Sequence, residues 1–78
     1  MTIDDLERAM GEAIESFVAF NDTLTKPYSP ETIVRYSNLA GAASFAKNVW
    51  KIACDYGVPA AMLFKLSDGH IDPRPPAS

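Results

Sequence analysis

Apolar residues in the first third of the chain recur at Ile3, Leu6, Met10, Ala13, Phe17, Phe20 and Leu24. The spacings alternate between three and four residues, the period of one stripe on an α-helix and of the a/d seam along which helices pack. Glu7, Arg8, Glu12, Glu15 and Asp22 fall mostly off that stripe, so the same helix carries a wet outer face. Thr2, just before the run, predicts an N-cap, and Asp5, three residues on, predicts the acidic half of a capping box. Asp4, Asp5 and Glu7 also sit where the positive end of the helix dipole favours a carboxylate.

The stripe breaks at "TKPYSPET". Pro27 disfavours helical geometry at Lys26. Ser29 followed by Pro30 and Glu31 is a strong start signal, with Ser29 as cap and Pro30 in the first helical position. A connection this short forces two neighbouring helices to run antiparallel. The second helix is predicted over residues 30–56, about 40 Å long, ended by Gly57 and Pro59.

This second helix is more apolar than the first. Ala42, Ala46, Val49 and Ala53 form a narrow stripe of small side chains, flanked by Leu39, Ala43 and Trp50 on one side and by Phe45, Ile52 and Tyr56 on the other. The arc covers about 200°, twice the ~100° stripe that one neighbour needs. Ser44, Lys47, Asn48, Lys51 and Asp55 make up the wet face. One antiparallel helix covers only part of such an arc, so the remainder must meet the C-terminal segment or a second copy of the chain. Gly41 costs about 1 kcal/mol relative to Ala in a helix interior, which suggests a close backbone approach there. The bulky Met10, Phe17 and Phe20 are the side chains available to fill the groove. On that reading Ala46→Leu overpacks the seam, at a cost of about 1–3 kcal/mol.

The C-terminal "PAAMLFKL" reads as a short third helix, with Pro59 in its first turn and Gly69 beyond its end. A strand at "MLFKL" is the alternative, but it has no obvious mate. The expected organisation is one all-α domain over residues 1–69 and a flexible, proline-rich tail over 70–78. The fold expected is an antiparallel hairpin of two long helices plus a short third, dimerising into a four-helix-bundle-like assembly.

Size sharpens the expectation of a dimer. The chain has 78 residues, and below roughly 70–80 residues a single core rarely supplies more than ~3–5 kcal/mol. The single cysteine, Cys54, excludes an intrachain disulfide, and the single histidine, His70, argues against a Cys/His zinc site. Self-association is the remaining staple. The net charge of −3 is uneven. Residues 1–25 hold six acids against Arg8, a balance of −5, whereas residues 30–56 hold Glu31 and Asp55 against Arg35, Lys47 and Lys51, or +1. No clustered basic face is present, so direct nucleic-acid binding is not expected. The acidic first helix also argues against membrane-surface binding. The N-terminus lacks the basic start and apolar run of a signal peptide, and no apolar run approaches the ~20 residues of a membrane span. A cytoplasmic protein is expected.

No residue pattern carries catalysis or a cofactor. Cys54 lacks a base within reach and sits at the edge of the apolar arc, where a buried thiol acts as a small hydrophobe. His70 reads as a solvated turn residue. Glu12 and Glu15 could converge on a metal, but no Glu-x-x-His motif accompanies them. Glu12, Glu15 and Asp22 together form a candidate acidic face for a protein partner, or for mimicry of a nucleic acid; the simpler account is a solvated helix face. Phe17, Phe20 and Trp50 read as core rather than as a ligand platform. The packing and oligomer-interface candidates are Phe17, Phe20, Ala42, Phe45, Ala46, Val49, Trp50, Ile52, Ala53 and Tyr56. In size and character alone the chain resembles small acidic phage-encoded inhibitors of host defence, anti-CRISPR proteins among them. The over-wide apolar arc on so short a chain is what points to a regulator or stoichiometric inhibitor that binds another protein, and the lack of a catalytic pattern to one that is not an enzyme; a structural subunit of a larger assembly is the alternative.

Overall fold

The computed structural model describes residues 1–72 and consists of three α-helices, with no β-strand among the described residues. The last residues of the expected tail, 73–78, lie outside the described residues. Helix α1 spans Ile3–Asp22, α2 spans Pro30–Tyr56 and α3 spans Val58–Leu66.

Helices α1 and α2 begin where a side chain satisfies an exposed backbone donor. At α1 the capping box forms in both directions: the Asp5 backbone N–H donates to Thr2 Oγ1 at 3.3 Å, and the Thr2 backbone N–H donates to Asp5 Oδ2 at 2.9 Å. The carboxyl of Asp5 is held below its ordinary range, first by that backbone hydrogen bond from Thr2 and next by the Thr2 hydroxyl. Helix α1 ends earlier than the apolar stripe suggests. The Thr23 hydroxyl donates to the Phe20 carbonyl at 2.7 Å, and Leu24 falls outside the helix. At α2, Ser29 Oγ accepts from the Thr32 backbone N–H at 3.2 Å, and Pro30 occupies the first turn.

Gly57 alone separates α2 from α3. Its φ of 99° is a conformation that favours glycine, and its carbonyl accepts from Ala61 N–H at 3.2 Å, so the new helix starts at once. The expected third helix is therefore present. It closes with Asp68 and Gly69 at positive φ, and Gly69 N–H donates to the Phe64 carbonyl at 3.0 Å.

Both α1 and α3 pack on α2. The core consists of Leu6 from α1, Val49, Ile52 and Ala53 from α2, and Ala61 from α3, which is 0% exposed. Phe45, Trp50, Val58, Ala60, Met62 and Phe64 pack around it half-buried. Phe45 and Phe64 stack at 5.5 Å between ring centroids, tying α2 to α3. The C-terminal segment thus covers the second flank of α2, but only over the C-terminal half of that helix.

Several sequence expectations change. Cys54 is exposed: one residue past the buried Ala53 turns a helical side chain about 100° away, beyond the cover of α3. Ile3 begins the predicted core stripe yet is exposed. Within the chain nothing approaches Gly41 closely: a Cβ built there meets nothing within 4 Å. Ala46 is half-buried beside a cavity of about 70 Å³ lined also by Leu6, Ala9, Phe45, Val49 and Lys65.

Candidate interaction surface

The molecule has two unlike ends. Where α3 is present, three helices meet, and all five buried residues among those described lie there. At the other end, the C-terminal half of α1 meets only the N-terminal half of α2. Phe17 packs against Tyr36 at 5.1 Å between ring centroids, with the rings inclined at 58°. The Arg35 guanidinium sits 5.2 Å from the centre of the Phe20 ring, a cation–π contact. These contacts hold the two helices together but enclose nothing.

The result is an apolar surface without a cover. Ile14 and Val18 on α1, Tyr28 in the connection, and Ile33, Val34 and Tyr36 on α2 are all exposed, Ile33 at 57%. A groove of about 270 Å³ runs between the helices here, lined by Asn21, Leu24, Tyr28, Thr32, Ile33 and Tyr36. A second, smaller apolar patch lies on α3, where Leu63 and Leu66 are exposed one turn apart.

Of the interface candidates from sequence, Val49, Ile52 and Ala53 are in the core, and Phe17, Phe20, Phe45, Ala46 and Trp50 are half-buried. Trp50 Nε1 is buried without a hydrogen-bond partner, so its burial rests on the apolar contacts of the ring. Ala42 and Tyr56 are exposed, where only another molecule would bury them. Glu12, Glu15 and Asp22 are likewise exposed. Glu15 and Asp22, seven residues apart, share one edge of α1, and Glu12 lies one turn from Glu15.

Sequence reading missed Ile14, Val18, Ile33, Val34 and Tyr36. The available signal was the spacing of Ile3, Ile14 and Val18, which makes a second apolar line beside the main stripe, masked because Ile3 belongs to both. Among the described residues no group of three or more His, Cys, Asp or Glu side chains is placed to hold a metal ion. No helix among them is long and apolar enough to cross a membrane. No protein-family model, curated protein or solved structure matches the chain.

Proposed function

We propose that this chain is a small acidic protein–protein interaction module that works as a homo-oligomer and regulates or stoichiometrically inhibits a partner protein in the cytoplasm. On this reading α1 and α2 form an antiparallel hairpin, capped at one end by α3, and two hairpins associate into a four-helix-bundle-like assembly. The module acts by occupying a surface rather than by chemistry of its own, without direct contact to nucleic acid or membrane.

The observation that carries the reading is the lopsided burial. Five buried residues gather at the three-helix end, while Ile14, Val18, Ile33, Val34 and Tyr36 stand exposed at the other. Ile33 and Tyr36 line one groove with Leu24 and Tyr28, and an exposed apolar patch of this kind on a small protein marks a contact surface. The acidic edge at Glu12, Glu15 and Asp22 supplies a charged face for the partner.

Sedimentation velocity of the purified chain at micromolar concentration tests the first half, and a stable, fully helical monomer overturns it. The second half is tested by isolating the protein bound to the chain in its native host and titrating that protein's activity. Activity falling to zero at a fixed mole ratio supports inhibition. Unaltered activity in a permanent stoichiometric assembly assigns the chain to a structural subunit instead.

A further inference from the structure

We propose that one continuous face of α1 and α2 binds a second copy of the chain, with α1 of each copy lying along α2 of the other. This rests on the homo-oligomer reading and gives it a location. On α1, Ile3, Glu7, Ile14, Val18 and Asn21 follow each other at spacings of 4, 7, 4 and 3, which place them on one side of the helix. On α2, Ile33, Tyr36, Ala40, Lys47 and Lys51 follow at 3, 4, 7 and 4. The two lines border the same groove: Asn21 lines it from one side, Ile33 and Tyr36 from the other. Helix α3 packs on a neighbouring side of α2, the one carrying Val49, Ile52 and Ala53, and borders the second line only at Lys51, which shares a pocket with Phe64. Every residue of both lines except Ala40 is exposed, and Ala40 is half-buried.

Area and charge both fit a second copy. Ile3, Ile14, Val18, Tyr28, Ile33 and Tyr36 are between 39% and 57% exposed. Taking a large side chain as roughly 200 Å², they offer about 500 Å² of largely apolar surface. A standard interface buries about 800 Å² per partner, of which somewhat more than half is non-polar. The face therefore matches the apolar share of one dimer interface. Its α1 edge carries Glu7 on the helix that is rich in acids, and its α2 edge carries Lys47 and Lys51. Laying α1 on α2 of the other copy sets acid against base twice, by symmetry. Laying α1 on α1 would leave Glu7 without either lysine opposite it.

Sedimentation equilibrium across a micromolar range tests the proposal with three full-length chains: wild type, Val18→Glu/Ile33→Glu, and Leu63→Glu/Leu66→Glu, each checked by far-UV circular dichroism for retained helix. The expected result is a wild-type dimer, weakened about tenfold or more by the first double substitution and unchanged by the second. A dimer that survives Val18→Glu/Ile33→Glu, or that is lost in Leu63→Glu/Leu66→Glu instead, overturns this face while the homo-oligomer reading stands. A monomeric wild type overturns both, and assigns the face to a different protein if Val18→Glu/Ile33→Glu abolishes that protein's binding. Charge exchange decides the arrangement even if the first variant unfolds, because it leaves the apolar residues in place. A Glu7→Lys chain mixed with a Lys47→Glu/Lys51→Glu chain is expected to form the mixed dimer in preference to either parent dimer. No such preference overturns the α1-on-α2 pairing.

Discussion

The two ends of this molecule are built from the same two helices, yet only one of them has an interior. At the end with α3, residues as small as Ala53 and Ala61 are buried because a third helix closes the space around them. At the opposite end, residues as large as Ile33 and Tyr36 stay exposed because two helices alone have no inside. Side-chain size therefore does not decide burial here: the buried residues are those that face the junction of the three helices, and Tyr56, Leu63 and Leu66, which face away from it at the same end, stay exposed. A helix needs cover over its whole apolar arc, and the nine residues of α3 cover only one half of the 27-residue α2.

The sharpest way to break that contrast is to remove the same atoms at each end. Ile52→Ala is expected to destabilise the chain by about 2–4 kcal/mol, a buried large-to-small change. Ile33→Ala should cost under about 0.5 kcal/mol in a sample dilute enough to be monomeric, as exposed positions usually do. Urea unfolding followed by circular dichroism checks both, and equal losses would abolish the distinction. Ser29→Ala comes next: removing the cap of α2 is expected to cost about 1 kcal/mol. The cap sits at the two-helix end, so the loss should appear in global circular dichroism before it appears in the fluorescence of Trp50, which packs at the other end. Simultaneous loss in both signals would show the two ends unfolding as one unit.

Gly41→Ala has the opposite sign. With space around its Cβ and a position inside α2, alanine is expected to stabilise by about 0.5–1 kcal/mol. A destabilised variant would show a close contact at that site and remove the case for an open flank. The smallest effect concerns pH. The folded-state pKa of Asp5 lies below its unfolded value, so its contribution is present above the unfolded pKa and is lost as pH falls through the folded one. Melting wild type and Asp5→Asn side by side from pH 7 to pH 3 should show the wild-type advantage shrinking as pH drops. An advantage that is constant across the range would detach Asp5 from the stability of the N-terminus.

Much of the architecture was legible in the sequence because it is set locally. Thr2 with Asp5, Ser29 with Pro30, and Gly57 with Pro59 each act within one turn of chain, and helix α2 has the predicted bounds. The excess width of the apolar arc on α2 was legible too. What periodicity does not carry is where along α2 the third helix stops covering it. Cys54 illustrates the gap: its neighbours Ala53 and Ile52 are buried, and its own exposure depends on which flank α3 occupies. Gly41 illustrates another. A glycine in a helix signals close approach only if something approaches, and within the chain nothing does. On the candidate surface, Ile14 and Val18 were hidden beside a stronger stripe, whereas Glu12, Glu15 and Asp22 stood out as charges on a wet face and are exposed as expected.

The core has a consequence for the order in which the protein can be made. Leu6 and Ala61 share the buried cluster although 55 residues separate them, so the core cannot close before α3 has been added to α1 and α2. From the end of α2 at Tyr56 to the end of α3 at Leu66 is 10 residues, on the order of one second of synthesis at about 5–20 residues per second. During that interval the future core is as bare as the two-helix end. Helix α3 is thus the step that converts a sticky nascent chain into a protein with one closed end and one open one.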